Sequence, residues 1–103
     1  MNRKTALMNA CIQKKESVLW FLLSNGAKVD MQNDYGYTAL MWCCIYGRKV
    51  EVQLLLEAGA SQDLTRRDKK TARDLASNFF TGFPVIVKIL DEYKKRKAEP
   101  RAR

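Results

Sequence analysis

The chain has 103 residues, of which 47% are hydrophobic and 29% charged, and its formal net charge at pH 7 is +8. This length and composition predict one globular domain with a modest core, and they exclude an intrinsically disordered chain. Histidine is absent, so the commonest general base and the commonest zinc ligand are both missing. The longest apolar runs are too short to span a bilayer, which argues against a membrane protein.

The first predicted unit is a pair of short helices near residues 5–13 and 16–25. It begins with the segment "KTALMNAC" and ends at Gly26. Lys14 lies between the two helices, where we expect a left-handed backbone. That conformation costs a non-glycine residue on the order of 1 kcal/mol.

The second predicted unit repeats this plan and contains "YTALMWCC". The Thr38 hydroxyl is suited to cap a helix over residues 39–46, because it satisfies a backbone N–H that has no partner inside the helix. Gly47 suits the left-handed residue that follows a helix end. A second helix is predicted over residues 49–58, and Gly59 ends it.

The third predicted unit, "TARDLASNFFTGFPVIVKIL", departs from the pattern. Arg73 stands where the other units have leucine, and Gly82 follows Gly47 by 35 residues, which indicates two residues inserted between its helices. Pro84 suits the first turn of a final helix that continues to about residue 97. Because the end of a repeat stack meets water, this polar unit is predicted to be a C-terminal cap.

The three units share a 33-residue step that relates Thr5, Thr38 and Thr71. This pattern resembles the ankyrin repeat, which is known for that period. The resemblance implies an all-α solenoid of helix–turn–helix units joined by long β-turn loops over residues 1–93, with units at about 3–35, 36–68 and 69–93 and a basic tail at 94–103. Ala39 and Met41 depart from it, because the family usually has proline and histidine there. The matching residues are Gly36, Thr38, Leu40, Gly47, Leu54, Leu55, Leu56, Gly59 and Ala60.

The second helix of the first unit carries two adjacent aromatic residues. At the 33-residue step Phe21 aligns with Leu54, which predicts a core position, and Trp20 aligns with Gln53, which predicts partial exposure. Trp20 either lies on the surface or packs against a further repeat. Two interpretations of this end stay open: the first unit is a reduced cap, or the chain is the end of a longer ankyrin array.

The three cysteines are predicted to be structural. Cys44 aligns with Cys11 and Ser77, and Cys43 aligns with two alanines, so both positions take small residues where helices pack closely. A metal site needs further ligands, and a nucleophilic cysteine needs an adjacent base. No glycine-rich phosphate loop is present either. We therefore expect no catalytic activity, no metal and no cofactor.

The resemblance implies that the loop tip before each first helix, and the inner face of that helix, form a concave surface that binds a protein or peptide. Tyrosine and tryptophan are favoured anchors of such interfaces because they are large, stiff and amphipathic. In the alternative interpretation Trp42 is core and the tyrosines only cover helices. The candidate partner-binding residues are Tyr35, Tyr37, Trp42, Ile45 and Tyr46 in the second unit, Lys4 and Gln13 in the first, and Asp68, Lys70 and Phe79 in the third.

Basic residues form two clusters, one in the last loop and one near the C-terminus. The loop cluster favours an acidic partner through faster association, and the segment Lys-Lys-Arg-Lys resembles a short nuclear-localisation signal but also suits a solvated helix end. The predicted function is a non-catalytic protein-interaction module of the cytoplasm or nucleus. The alternative is binding of nucleic acid or an acidic surface through the basic patch, which comprises Arg66, Arg67, Lys69, Lys94, Lys95, Arg96 and Lys97.

Overall fold

The structure is a computed structural model that describes residues 4–78 and 82–98. Within these ranges the secondary structure is helical and contains no strand, which confirms the predicted all-α class. The helices are α1 (Ala6–Ile12), α2 (Glu16–Ser24), α3 (Ala39–Tyr46), α4 (Lys49–Glu57), α5 (Ala72–Ala76) and α6 (Pro84–Ala98). None of these helices is long and apolar enough to cross a membrane.

A threonine caps the first helix of every unit, as the 33-residue step predicts. The hydroxyl oxygens of Thr5, Thr38 and Thr71 accept backbone N–H groups at 3.1, 3.2 and 3.2 Å. Asp74 completes the cap of α5, because its carboxylate accepts the backbone N–H of Thr71 at 3.0 Å. In α3 the corresponding acceptor is the sulfur of Met41, at 3.4 Å from the backbone nitrogen of Thr38. Sulfur is a weak acceptor, so this cap is the weaker of the two boxes.

The turn between the helices of a unit has a left-handed residue in the first two units. Gly47 has a φ angle of 71° and Lys14 has a φ angle of 57°, as expected. The third unit differs. In the second unit the backbone N–H of Arg48 closes the turn by donating to the carbonyl of Cys43. In the third unit the backbone N–H of Phe83 donates to the carbonyl of Ala76, at 2.8 Å. The longer span confirms the insertion of two residues.

The units stack so that like helices touch like helices. α1 contacts α3, which contacts α5, and α2 contacts α4, which contacts α6. The body measures 48 × 35 × 21 Å. The core runs along the seam between the two layers of helices. Its largest fully buried side chains are Met8, Leu19, Leu40, Met41, Leu55, Leu56, Ile86 and Leu90.

The prediction of Phe21 as a core residue is wrong, because its side chain is 60% exposed. Its equivalent Leu54 is half-buried in a groove beside Trp20 of the preceding unit. Phe21 has no described unit on the corresponding side, so the same position stays open. Trp20 itself is exposed, as its alignment predicts.

Candidate protein-interaction surface

The loop before α3 ends in a tight turn that displays Tyr35 and Tyr37. The side-chain oxygen of Asn33 accepts the backbone N–H groups of both tyrosines, at 3.0 and 2.9 Å. Gly36 lies between them with a φ angle of 88°. A Cβ atom at Gly36 would lie 2.9 Å from the Cα atom of Arg66. Glycine therefore serves both the left-handed turn and the close approach of the next loop.

Neighbouring loop tips are joined by hydrogen bonds. The backbone N–H of Arg67 donates to the carbonyl of Tyr35 at 3.0 Å. The Gln32 side chain bridges the carbonyls of Gly36 and Thr65, at 2.8 and 3.0 Å. Because these bonds tie the second loop to the third, the surface at the tips has a defined shape.

Three aromatic rings form a row along the inner face of α3. The rings of Tyr37 and Trp42 stack with centroids 4.4 Å apart, and those of Trp42 and Tyr46 lie 6.1 Å apart. Trp42 is 9% exposed, whereas Tyr46 is 44% exposed. Trp42 is therefore a largely buried residue on which the rings of Tyr37 and Tyr46 pack, in agreement with the interpretation that it is core. Its indole Nε1 is buried and has no hydrogen-bond partner among residues 4–78 and 82–98.

Arg66, in the loop before α5 (the third loop), holds the Tyr37 side chain in place, and we call this contact the brace at Tyr37. Its guanidinium lies 4.9 Å from the Tyr37 ring centroid and donates a hydrogen bond of 2.9 Å to the Tyr37 hydroxyl oxygen. The same guanidinium pairs with the carboxylate of Asp68, with Nε 3.0 Å from Oδ1. That hydrogen bond holds the pKa of Asp68 below its usual range and raises the pKa of Arg66. Tyr37 is half-buried, so the expectation that it is exposed holds only in part.

Other cations lie over the aromatic rings. The Arg67 guanidinium lies 5.6 Å from the Tyr35 ring, the Lys4 ammonium lies 5.6 Å from the Trp42 ring, and the Arg48 guanidinium lies 5.6 Å from the Tyr46 ring. Cations stack favourably on the electron-rich faces of such rings. A pocket of about 400 Å³ opens at the loop tips, lined by Tyr35, Tyr37, Arg66, Arg67 and Asp68.

The remaining predicted residues lie in different places. Ile45 is half-buried, and Gln13 is exposed just after α1. Lys70 is exposed at the third loop tip, where its backbone N–H donates to Asp68 at 3.3 Å. Lys69 adopts a left-handed φ angle of 69° there. Phe79 lies outside the described residues.

The C-terminal basic residues lie on α6, away from the aromatic row. The Lys94 ammonium is 3.6 Å from the Asp63 carboxylate. Arg96 and Lys97 lie 5.5 and 5.9 Å from the Tyr93 ring. Lys94, Lys95, Arg96 and Lys97 are all exposed, so this cluster is a solvated part of the helix surface.

Arg48 also contributes to the surface, although the sequence pattern did not predict it. Its side chain donates hydrogen bonds to the carbonyls of Cys11 and Ile12, at 3.1 and 2.6 Å, while it also lies beside Tyr46. The last carbonyls of a helix have no partner inside the helix, and Arg48 satisfies two of them in the preceding unit. The sequence feature that could have indicated this role is a long cationic side chain placed directly before the second helix of a unit.

The three cysteines pack between the helices of the inner layer. Cys11, Cys43 and Cys44 are free and fully buried, which confirms that they fill small core positions. Burial raises the pKa of the Cys44 thiol to about 12, and burial followed by a hydrogen bond with Cys11 raises the pKa of Cys43. Both thiols are therefore protonated at neutral pH and are poor nucleophiles. No group of metal-binding side chains occurs among residues 4–78 and 82–98.

Comparison with known proteins agrees with this architecture. A family model described as "Ankyrin repeats (3 copies)" matches residues 7–100. The chain therefore belongs to the ankyrin-repeat family, whose members generally act in protein–protein interaction and are generally not enzymes. It is also similar to the "Ankyrin repeat domain-containing protein SAT10" of Stachybotrys chartarum, with 38% identity over 66 residues. That match covers 64% of this chain and 3% of the much longer relative.

Proposed function

We propose that this chain is a non-catalytic module that binds an acidic segment of a partner protein. The binding surface, which we call the aromatic surface, consists of Tyr35, the row of Tyr37, Trp42 and Tyr46, and the cations beside them. The observation that carries the proposal is that the exposed rings of Tyr35 and Tyr46 each lie beside a guanidinium group, of Arg67 and Arg48, on a surface whose loop tips are joined by hydrogen bonds.

The anchors of this surface are Tyr35 and Tyr46. They are 46% and 44% exposed, and each has a supporting neighbour: Arg67 lies beside Tyr35, and Trp42 stacks beside Tyr46. An aromatic side chain that is held in place loses little conformational freedom on binding, so more of its contact energy contributes to affinity. Ile45 and Gln13 extend the surface along the inner helices.

The charge of the surface favours an acidic partner. Lys4, Arg67, Lys69 and Lys70 are exposed, whereas Asp68 is engaged by Arg66. Excess positive charge speeds encounter with a negative segment and disfavours a basic one. A carboxylate of the partner suits the pocket at the loop tips, because guanidinium groups bind carboxylates with two parallel hydrogen bonds.

The test combines capture of partners from cell extract with titration of a captured partner. Tyr46→Ala and Tyr35→Ala should each weaken binding by about 1–4 kcal/mol, the usual range for an interface anchor. Stability should change by less than about 0.5 kcal/mol, because both side chains are exposed. Trp20→Ala removes an exposed aromatic residue from α2 and is the matched control. Equal loss of binding in all three variants would place the binding site elsewhere.

The second candidate is binding of nucleic acid through the cations on α6. The observation that favours it is the exposure of four adjacent basic residues on one helix. Binding through several phosphate contacts should fall steeply between low and physiological salt, whereas binding of an acidic segment anchored by tyrosines should fall less steeply. If binding is salt-sensitive and unchanged in Tyr46→Ala, this alternative is correct.

We also propose that the protein acts in the cytoplasm or nucleus. The Lys-Lys-Arg-Lys segment at residues 94–97 is the candidate nuclear signal. Replacing these four residues with serine should abolish nuclear accumulation of a fluorescent fusion. The same replacement of Lys14 and Lys15, which are also exposed, is the control.

A further inference from the structure

The end of the stack formed by α1 and α2 exposes apolar positions that are buried in later units. Val18 is 47% exposed, whereas Ile86 at the equivalent position of the third unit is 2% exposed. Ala6 is exposed, whereas its equivalents Ala39 and Ala72 are buried. Equivalent positions have the same place within each unit. The difference therefore arises because the second and third units each have another unit packed before them.

The same relation holds for the second-helix layer. Phe21 is 60% exposed, and its equivalents are Leu54 and Ile89. Leu54 lines a groove with Trp20 of the preceding unit, and Ile89 lines a groove with Gln53 of the preceding unit. The position of Phe21 thus faces the preceding unit wherever the structure contains one.

The opposite end of the stack, formed by α5 and α6, carries charged side chains at positions that are leucines in the earlier units. Leu40 and Leu56 are buried, and Leu56 lines a groove with Ile89 and Tyr93 of the third unit. Their equivalents in the third unit are Arg73 and Asp91, which are both exposed and form an ion pair with Nε 2.7 Å from Oδ1. A polar outer side is what a terminal repeat needs for solubility. Val18 and Phe21 instead give the first unit an apolar outer side.

We propose that the face formed by Ala6, Val18 and Phe21, here called the upstream face, is an interface for a further ankyrin unit stacked before the first one. The units of this chain show what such an occupant offers. Leu7 and Leu40 occupy the position that is Arg73 in the third unit, and both are buried, whereas Arg73 is exposed. A preceding unit with leucines at the equivalents of Leu40 and Leu56 is complementary to the upstream face.

A second copy of this chain fits the face less well. Head-to-tail stacking would cover the ion pair of Arg73 and Asp91, and removing charges from water is costly. Head-to-head pairing would set Phe21 against Phe21, whereas inside the chain its equivalents Leu54 and Ile89 lie beside Trp20 and Gln53 of the preceding unit. The occupant we assign is therefore a preceding unit.

The test supplies such a unit directly. A copy of residues 36–68 is inserted between residues 2 and 3 of the full chain, which keeps the 33-residue step. The inserted unit should raise the melting temperature by about 5 °C or more. In the double variant Val18→Lys with Phe21→Lys, most of that gain should be lost. Without the insertion this double variant should melt close to the original chain, because both side chains are exposed.

Two controls separate the interface from general effects. Val85 is 56% exposed on α6, so Val85→Lys adds a lysine away from the upstream face and should leave the gain intact. No gain, or an equal gain with and without the two upstream lysines, would overturn the proposal. Sedimentation of the original chain over a wide concentration range should show a monomer. A dimer that Phe21→Lys abolishes would identify a second copy as the occupant and also overturn it.

Discussion

The two ends of the repeat stack have opposite surface chemistry although they are built from the same 33-residue plan. At the upstream end, Val18 and Phe21 keep the apolar character of buried positions while lying exposed. At the downstream end, Arg73 and Asp91 replace buried leucines with an ion pair. The comparison shows that a place in the repeat does not by itself decide exposure: the position of Val18 is open in the first unit, whereas the same position, Ile86, is buried in the third, where another unit packs before it.

The largest expected effect tests whether the two ends fold together. Leu55→Ala removes a fully buried side chain from the middle unit and should lower the free energy of unfolding by about 2–5 kcal/mol. Because the middle unit contacts both neighbours, the chain should still unfold in one transition. Chemical denaturation followed by circular dichroism and tryptophan fluorescence measures this. Two separate transitions would show that the ends fold independently.

The next effect concerns the joint between the second and third units. Tyr37→Ala removes the stack on Trp42 and the hydroxyl that accepts from Arg66, and should lower the free energy of unfolding by about 1–3 kcal/mol. Tyr37→Phe keeps the ring and should cost about 1 kcal/mol or less. Thermal melts of both variants give the result. If the alanine variant is as stable as the original chain, the brace between the loops is unimportant.

A third effect concerns a buried carboxylate in the middle of the stack. Glu51 is 2% exposed and occupies the position that is Val18 in the first unit and Ile86 in the third. Burial of a polar side chain is unfavourable compared with an apolar side chain of similar size. Glu51→Ile should therefore raise the free energy of unfolding by about 0.5–2 kcal/mol. Glu57→Ile, on the exposed side of the same helix, is the control, and a lower stability for Glu51→Ile would point to a specific role for the carboxylate.

The fourth prediction makes the downstream end apolar, as the upstream end is. Arg73→Leu combined with Asp91→Leu restores the leucines of earlier units and should leave the melting temperature nearly unchanged, because the ion pair is exposed and screened by water. The exposed apolar patch should make the chain associate. Light scattering against concentration detects this, and a chain that stays monomeric would weaken the argument from surface chemistry.

The smallest effect is a dependence on acid pH that arises from three aspartates, one in the loop before α5 and one each on α5 and α6. Hydrogen bonds from Arg66, from the Thr71 backbone and from Arg73 lower the pKa values of Asp68, Asp74 and Asp91 respectively. A carboxyl whose folded-state pKa is lowered stabilises the fold above its unfolded-state pKa, and that stability is lost as pH falls below about 4. The melting temperature should therefore fall slightly on acidification. Asp74→Asn should reduce the fall, and an unchanged fall would exclude the α5 cap as a contributor.

The sequence predicted the parts of the fold that depend on local chemistry. Thr38 and Gly47 end α3 as expected, because a hydroxyl cap and a left-handed glycine act within a few residues of the backbone groups they serve. The 33-residue step likewise predicted the small buried places of Cys43 and Cys44. Phe21 was misassigned by the same step, since alignment with Leu54 does not reveal whether another unit is present.

The candidate surface was predicted less fully than the fold. The tyrosines of the loop tip and α3 were found from residue type and family resemblance. The different environments of the three rings were not predicted: Tyr46 is exposed, Tyr37 is held by Arg66, and Trp42 packs against both. The stack and the brace join residues brought together by the turn and by the next loop. No local pattern in the sequence records those distances.

The sequence by itself determined the repeat, its helices, the caps and turns of the first two units and the lost leucines of the third, because each follows from residue type at fixed spacing. Only the tertiary structure decided which apolar residues are covered, which cations are neutralised and which aromatic rings remain accessible. Burial and ion pairing depend on the neighbour across the stack, about 33 residues away along the chain. The upstream face and the brace at Tyr37 are both consequences of that packing.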